Sequence, residues 1–296
     1  MNNNSSRRQV LKQLAVGSVA MAASPLTLLA ADDNETMYKL KGNVNHSVCQ
    51  WTYGFLPLEE LCVAAKKIGL KAIDLIGPKE WHILKKHGLD SSMCNGAQIS
   101  LTEGWNDKQY HTTLIKNYTE HINLVADAGY KNLICFSGNK KGMDDETGLK
   151  NCVEGLKQIM ALAEKKGVII QIEVFNSKVN HPDYMADNTK WTIDLCTRLA
   201  SPNFKRWYDI YHMHISEGDI IATIKKNYEY FGHYHTAGVP GRHEIDATQE
   251  LNYPAIIKAV VDTGYKGYLA QEFIPTATEN SDKIKALKTA VKLCDV

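Results

Sequence analysis

The chain has 296 residues, enough for one large α/β barrel or two smaller domains. Its content of 44% hydrophobic and 23% charged residues is ordinary for a globular protein, and its net charge of +1 argues against a nucleic-acid-binding surface, which would need a basic excess. The seven cysteines are scattered and odd in number, without a CxxC motif. They predict free, buried thiols rather than a disulfide framework.

Residues 1–31 have the layout of an export signal, in which a polar start and a pair of arginines precede a modest apolar stretch. The run SRRQVLK at 6–12 resembles a twin-arginine signal, which predicts export to the periplasm or cell envelope. An amphipathic or anchoring helix is the alternative, although interruptions such as Pro25 make this a poor membrane span. Residues 32–43 are interpreted as a flexible lead-in, and we predict no stable membrane span in the mature chain.

From residue 44 to 296, short apolar runs alternate with longer segments of helical periodicity. The predicted strands are 44–51, 71–77, 93–100, 132–137, 168–175, 204–211, 233–238 and 268–273. The predicted helices are 57–68, 81–86, 107–128, 145–166, 188–200, 220–231, 254–263 and 281–294. Most of these helices stop at a glycine, as helices commonly do.

Eight strand–helix units in roughly 250 residues predict a single-domain α/β fold, the closed (β/α)8 TIM barrel, over residues 44–296. Repeated alternation of strand and helix implies a parallel sheet with right-handed crossovers. A doubly wound open sheet is the alternative. It would usually show a GxGxxG loop after its first strand, and this sequence has none.

Four polar residues stand at the ends of the last four predicted strands: Glu173, Asp209, His235 and Glu272. A carboxylate near the end of a buried strand is costly to desolvate unless it is paired or binds a metal. In a TIM barrel these strand ends gather on the active-site face. Three carboxylates and an imidazole suit one divalent cation such as Mn²⁺ or Mg²⁺. Each residue taken alone could instead form a salt bridge or a solvated strand end.

The segments around these residues resemble the xylose isomerase-like barrels, and the hydroxypyruvate isomerase family in particular. The resemblance covers essentially residues 44–295, and its motifs are EVFNSK at 173–178, DIYHMH at 209–214, GHYHTAGVPGRHEID at 232–246 and QEF at 271–273. The most specific piece is AGVPGR at 237–242. Related ketose 3-epimerases share the general layout of the ligands.

The resemblance implies that the four strand-end residues bind the metal, with two departures from the hydroxypyruvate isomerases. At position 235 the hydroxypyruvate isomerases typically have Gln, whereas this chain has His235, and the sugar epimerases also have His there. Lys178 stands where the family usually has Arg. Both departures leave a sugar or another polyhydroxy carbonyl compound open as the substrate.

The chemistry of this family removes a proton beside a carbonyl and passes through an enediolate, which a divalent cation stabilises. Glu173 and Glu272 are the candidate catalytic acid–base pair, because their strands place them on different sides of the substrate. By resemblance, His212 contacts a substrate oxygen; a structural role is the alternative.

Three further residues are candidates for substrate binding. Arg242 would clamp a substrate carboxylate or hydroxyl pair through its planar fork of donors, unless it forms only a surface salt bridge. Lys178 and His181, in the loop after the fifth strand, are weaker candidates. His233 points to the same strand face as His235, and we expect it deeper in the barrel.

We therefore predict a metal-dependent isomerase that acts on a small hydroxy-carbonyl compound, in the manner of hydroxypyruvate isomerase. A ketose epimerase and a keto-polyol dehydratase on the same metal site are alternatives. A phosphodiesterase like the endonucleases of this barrel class is a remote alternative, since the chain lacks their basic surface and extra ligands. A non-catalytic sugar-binding barrel is a further alternative. Such a barrel would tolerate the loss of one of the two candidate catalytic glutamates, and both are present in this chain. The expected partner is a small molecule rather than nucleic acid, and barrels of this kind often form homo-oligomers.

Overall fold

The computed structural model describes residues 38–296, whose core is a closed barrel of eight parallel strands. The strands are β1 (Asn45–Cys49), β2 (Ala72–Asp74), β3 (Asp90–Ser91), β4 (Asn132–Cys135), β5 (Ile169–Ile172), β6 (Phe204–Asp209), β7 (Phe231–Thr236) and β8 (Tyr268–Gln271). Their order in the sheet is β3-β2-β1-β8-β7-β6-β5-β4. Cys94 closes the ring, because it bridges Ile76 on one side and Leu133 on the other. The predicted TIM barrel is confirmed.

Helices cover the outside of the barrel and follow the strands in sequence. They are α1 (Leu58–Ile68), α2 (Trp81–Lys86), α3 (His111–Asp127), α4 (Asp145–Lys166), α5 (Thr189–Leu199), α6 (Ile210–Ser216), α7 (Ile220–Asn227), α8 (Tyr253–Asp262) and α9 (Asn280–Cys294). Helix α4 has the predicted bounds; Asp144 caps its first turn by accepting a hydrogen bond from the Thr147 amide, and Gly167 ends it at φ +69°. None of the helices in residues 38–296 is long and apolar enough to cross a membrane.

Two sequence-based assignments were wrong. The third strand was predicted at 93–100, but β3 lies at Asp90–Ser91 and only Cys94 of the predicted segment pairs with its neighbours. Gly96, at φ +113°, takes the chain out of extended conformation there. The sixth strand was predicted to reach residue 211, but it ends at Asp209, whose side chain caps α6 by accepting a hydrogen bond from the His212 amide. Helix α6 was missed because its seven residues are too few to show a helical period.

The described part of the predicted lead-in lies against the end of the chain. The Tyr38 hydroxyl donates to Asp295 Oδ2 at 2.9 Å, the Lys41 amide donates to the same carboxylate at 3.0 Å, and Asn43 donates to the Val296 carbonyl at 2.7 Å. The predicted export signal at 1–31 lies outside the described residues and stays a prediction.

The apolar core consists mainly of two large clusters between sheet and helices. A third, smaller cluster, built on Met93, Ile134 and Trp207, packs with Leu75 and Phe136. All seven cysteines are buried and free, which confirms the expectation from the sequence.

His46, the second residue of β1, predicts a loss of stability in mild acid. Burial lowers the pKa of His46 from 6.5 to about 4, in spite of the Asp295 carboxylate 3.8 Å away. Between these two values the unfolded chain binds a proton that the folded chain does not, so the free energy of unfolding falls as the pH falls from 6.5 towards 4. We expect His46 to account for a loss of about 2 kcal/mol between about pH 8 and about pH 5.

Urea denaturation at the two pH values measures this loss, and His46→Gln should remove it. His82→Gln, which replaces an exposed histidine of α2, should keep the full loss. The assignment to His46 is wrong if His46→Gln loses as much stability as the unmodified protein.

Candidate metal centre

Glu173, Asp209, His235 and Glu272 come together at the carboxyl end of the barrel. Asp209 ends β6 and pairs in register with His235 of β7, while Glu173 and Glu272 directly follow β5 and β8. All four side chains are buried, and one ligand atom from each lies within 4.8 Å of the others. Parallel strands that end at one rim therefore gather four residues distant in sequence into a single group.

The three carboxylates of this group strongly affect one another. Burial, together with the charge of Glu272, raises the pKa of Glu173 well above its ordinary value. The same two causes raise the pKa of Asp209 to about 7. Burial also acts to raise the pKa of Glu272, but Arg242 and His235 outweigh it and hold that pKa well below its usual range. Like charges confined in a buried space produce this pattern, and a cation among them would relieve it.

His235 lies between two carboxylates. Its Nδ1 is 2.8 Å from Glu272 Oε2, and its Nε2 is 2.8 Å from Oδ2 of Asp74, the last residue of β2. Burial opposes protonation of the ring, but Glu272 and Asp74 raise the pKa of His235 to about 10. The Trp207 ring meets the imidazole at 77° with centroids 3.9 Å apart, which restricts its rotation.

The chemistry of these donors fits a divalent cation. Three carboxylates and one imidazole are hard or intermediate ligands of the kind that Mn²⁺, Mg²⁺ and Zn²⁺ accept. Arg242 is the permanent cation that forms ion pairs with the group, reaching Glu272 Oε2 and lying 3.9 Å from Asp209 Oδ2. One guanidinium offsets only part of the negative charge that the group carries when all three carboxylates are ionised.

A pocket of about 280 Å³ opens beside the four residues. Its lining mixes apolar side chains with the carboxylates of Glu173 and Glu272 and several hydrogen-bonding side chains. The lining residues are Trp51, Leu75, Asn95, Gln98, Leu101, Ile134, Phe136, Glu173, Phe175, His181, Arg242 and Glu272. Such a mixed lining suits a small molecule that carries both polar groups and a carbon skeleton.

The loop AGVPGR at 237–242 holds Arg242 over this pocket. Arg242 adopts φ +63°, an uncommon conformation for a residue with a side chain, and its backbone is tied at both ends. The Arg242 amide donates to the Gly238 carbonyl at 2.9 Å, and the Ile274 amide donates to the Arg242 carbonyl at 2.7 Å. Its guanidinium lies 5.2 Å from the Trp51 ring and 5.5 Å from the Tyr211 ring. The motif therefore fixes one cation beside the carboxylates.

His212 sits in the first turn of α6 and not at a strand end. Its Nδ1 accepts hydrogen bonds from the Asn176 side-chain amide at 2.6 Å and from the Asn176 backbone amide at 3.3 Å. The proton of the neutral ring therefore resides on Nε2. Burial and the nearby Arg242 lower the pKa of His212 well below its ordinary value, so the ring is neutral. Nε2 is buried, has no hydrogen-bond partner in the described part of the chain and lies 3.9 Å from Asp209 Oδ2, which leaves a donor at the site.

His181 and Lys178 have different positions. His181 lines the pocket and stacks on Phe175 with ring centroids 4.1 Å apart, and burial with Arg242 lowers its pKa to about 4. Lys178 is exposed and does not line the pocket, because its Nζ donates to the Ser216 carbonyl at the end of α6 at 2.8 Å. The structure therefore brings His181 to the site and leaves Lys178 outside it.

Sequence analysis missed several residues that complete the site. Asp74 contacts His235, and Cys49 lies 3.6 Å from the same ring. Trp51, which ends the first predicted strand and whose aromatic ring the sequence offers as a possible wall for the substrate, also donates from Nε1 to Glu272 Oε1 at 2.9 Å. Asn176 orients His212. Asp74 carried a usable signal, since it is an acid at the end of the apolar run KAID, just as Glu173 follows VIIQI.

Comparison with known proteins gives a family match over most of the chain. The family model described as a xylose isomerase-like TIM barrel matches residues 62–290. The hydroxypyruvate isomerase of Escherichia coli K12 is 26% identical over 250 residues, which are 81% of this chain and 95% of that protein. The 2-oxo-tetronate isomerase of Cupriavidus necator is 34% identical over 125 residues, which are 42% of this chain and 47% of that protein. Of three further curated relatives, the chain spans only about half the length.

Solved structures show the same fold. The D-psicose 3-epimerase of Clostridium cellulolyticum H10, determined with D-tagatose, aligns with a TM-score of 0.66 and 16% identity. The alignment covers 85% of this chain and 96% of that one. At this identity the likeness concerns the arrangement of the barrel.

Metal analysis of the purified protein tests the proposed ligands. We expect about one divalent cation per chain, and we expect Glu272→Gln combined with Asp209→Asn to remove it, since two of the three carboxylates are then neutral. Elemental analysis gives the stoichiometry, and the melting temperature with and without Mn²⁺ gives a second measure. Binding at 100 times the dissociation constant would stabilise the unmodified protein by about 2.7 kcal/mol.

Asp90→Asn is the matched control for this experiment, because Asp90 is an exposed carboxylate at the start of β3, at the other end of the barrel. It should bind the cation like the unmodified protein. Retention of the cation by the double variant would show that the ligands lie elsewhere, and two or three cations per chain would favour the endonuclease-like alternative.

Proposed function

The chain belongs to the xylose isomerase-like TIM-barrel family, and on that premise we propose that it is a divalent-metal-dependent isomerase or epimerase of small hydroxy-carbonyl compounds. The observation that carries this proposal is the buried group of three carboxylates and one imidazole, two of whose members, Glu173 and Glu272, line a pocket for a small molecule. The names of its relatives, a hydroxypyruvate isomerase and a 2-oxo-tetronate isomerase, support the same reaction class.

Glu173, Asp209, His235 and Glu272 would hold the cation, with Mn²⁺ or Mg²⁺ the best matches for a set dominated by oxygen donors. When bound, such a cation polarises the substrate carbonyl and offsets negative charge on the substrate oxygens. Its share of the catalysis is electrostatic, so the proton transfers fall to side chains of the protein.

Glu173 and Glu272 are the residues we assign to proton transfer. They follow strands on different sides of the group and both line the pocket, so they can approach a substrate from two directions. One carboxylate removes a proton from the carbon beside the carbonyl, which gives the enediolate, and a carboxylate returns a proton. Return to the former carbonyl carbon, together with passage of the hydroxyl proton to the former carbonyl oxygen, moves the carbonyl. Return to the opposite face of the same carbon inverts its configuration.

His212 and Arg242 would hold the substrate. The unpartnered Nε2–H of His212 can donate to a substrate oxygen, and that contact would satisfy a buried donor. Arg242 lines the pocket, where its fork of donors suits a carboxylate or a pair of hydroxyls. The indole of Trp51 and the ring of Phe175 offer flat surfaces for a carbon skeleton.

The same geometry supports a ketose epimerase as the second candidate function. His235 is the ligand that the sugar epimerases carry, and a pocket of about 280 Å³ has room for more than a three-carbon acid. Dehydration of a keto-polyol would also begin with proton removal beside a carbonyl. These reactions share the first step and differ in where the proton, or a hydroxide, goes next.

Deuterium exchange tests that first step directly. The Mn²⁺-loaded protein should incorporate deuterium from D₂O beside the carbonyl of at least one compound in a panel of hydroxypyruvate, four-carbon 2-oxo acids and ketohexoses. Mass spectrometry and NMR of the products then distinguish a moved carbonyl, an inverted centre and loss of water. Glu173→Gln and Glu272→Gln, assayed at saturating Mn²⁺, should slow the exchange by about 10²–10⁴-fold, because each removes a proton-transferring group.

Lys190→Gln is the control variant, since Lys190 is an exposed side chain of α5 paired with Asp194. Its exchange rate should equal that of the unmodified protein. Absence of exchange with every compound, despite bound metal, would rule out the enediolate mechanism.

We also propose that residues 1–31 direct export by the twin-arginine route. The paired arginines Arg7 and Arg8 and the modest apolar stretch support this proposal. In a host with that pathway, residues 1–31 fused to a folded reporter should carry it to the periplasm, and Arg7→Lys with Arg8→Lys should retain it in the cytoplasm. Lys12→Gln leaves the pair intact and should not change the distribution. Export of the double lysine variant at the normal level would argue against the twin-arginine route.

A further inference from the structure

Asp74 is a buried carboxylate that contacts the proposed metal centre without belonging to it. It ends β2, is fully buried and does not line the pocket. Its Oδ2 lies 2.8 Å from His235 Nε2 and 3.6 Å from the Cys49 thiol. Its Oδ1 accepts a hydrogen bond from the Ser92 hydroxyl and lies 3.1 Å from His233 Nε2. Asp74 is therefore not one of the four grouped residues, and it reaches that group through the His235 ring.

The basic side chains next to the Asp74 carboxylate are imidazoles. Within residues 38–296, no Lys or Arg side chain forms an ion pair with it, and the ring nitrogens beside its carboxylate belong to His233 and His235. A buried carboxylate is expensive to keep in a barrel core, and removing one charged partner of a buried pair is strongly destabilising. Hydrogen bonds with Ser92, His235 and Cys49, and the approach of His233 Nε2 to 3.1 Å, make its position well determined.

The contact with Asp74 decides which nitrogen of His235 can bind a metal. An ionised carboxylate only accepts hydrogen bonds, so Nε2 carries a proton at 2.8 Å from Asp74. Nδ1 is then the nitrogen left to coordinate, and it is the one that lies 2.8 Å from Glu272. A carboxylate on the far nitrogen of a metal-binding histidine also raises the basicity of the coordinating one. Trp207 packs against the His235 ring and restricts the orientations that the ring can adopt.

We propose that Asp74 is a positioning residue of the metal centre, which orients His235 and strengthens its Nδ1 as a ligand. His233 and Ser92 in turn hold the Asp74 carboxylate in place. This inference rests on the proposed function only in its requirement that the four residues bind a divalent cation.

The affinity of the full-length protein for Mn²⁺ tests this role, with free Mn²⁺ quantified by its electron paramagnetic resonance signal. Asp74→Asn keeps the size of the side chain and removes its charge, and we expect the dissociation constant for Mn²⁺ to rise about 10–100-fold. Asp295→Asn is the matched control, because Asp295 is also a buried carboxylate beside a histidine, but it lies next to His46 at the other end of β1. Its affinity should be unchanged. Binding by Asp74→Asn within two-fold of the unmodified protein would overturn the proposal.

A double-mutant cycle with His235→Gln separates positioning from a general effect of negative charge. If Asp74 acts through the imidazole, Asp74→Asn should cost little further affinity in the His235→Gln background. A 10–100-fold loss in that background as well would overturn the positioning role. A strongly downfield His235 Nε2–H resonance in the NMR spectrum, lost in Asp74→Asn, is the expected spectroscopic sign of the contact.

Ser92→Ala provides the test if Asp74→Asn does not fold. It leaves the carboxylate in place but removes the hydroxyl that holds Oδ1, so Mn²⁺ binding should weaken in the same direction, and an unchanged affinity would count against the proposal. The two levels of inference can fail separately. Mn²⁺ binding without any exchange activity would refute the proposed function alone. Equal Mn²⁺ affinity of Asp74→Asn and the unmodified protein would refute this inference alone. No metal binding at all would refute both.

Discussion

Four carboxylates buried at one end of a barrel are the constraint on which the rest of this structure depends. Asp74, Glu173, Asp209 and Glu272 are all at most 3% exposed, and each ionised group carries a desolvation penalty of several kcal/mol. Arg242 supplies one permanent positive charge, and the imidazole of His235 lies between Asp74 and Glu272. Protonation of Glu173 removes one negative charge and protonation of His235 adds a positive one, since the pKa of each is raised. A divalent cation could replace those protons, because metal binding to such ligands releases them.

The parallel barrel brings these charges together through the register of its strands. Asp209 faces His235 across β6 and β7, and the backbone amide of Glu272 donates to the Thr236 carbonyl of β7 at 2.9 Å. Some of the residues serve the fold and the site at once. Asp209 uses Oδ1 to cap α6 and presents Oδ2 to the group, so the turn that ends the strand also orients the ligand.

The fold could be predicted from the sequence because strand and helix alternate clearly and glycines mark the helix stops. The four residues of the candidate metal centre could be predicted to lie together because an acid or imidazole after an apolar run stands out against its surroundings. Asp74 also follows an apolar run, but the run is shorter, and nothing in the sequence indicates that β2 and β7 bring Asp74 and His235 into contact. The direction of the Lys178 side chain could not be predicted, because it depends on a hydrogen bond to a backbone carbonyl of α6. That helix is too short to show a helical period in the sequence. Register and side-chain direction are tertiary properties, and local pattern does not contain them.

The ligand at position 235 and the acid at position 74 form one functional unit. A glutamine coordinates through a neutral carbonyl oxygen, whose lone pairs exist whatever its other contacts are. An imidazole coordinates through a lone pair that is free only while the proton resides on the opposite nitrogen, and Asp74 holds it there at 2.8 Å. The choice of histidine therefore requires a second buried acceptor behind the ring, which this barrel places at the end of β2. With glutamine at position 235, Asp74 would lose this role at the metal centre but keep its full desolvation cost, so the aspartate is intelligible only together with the histidine.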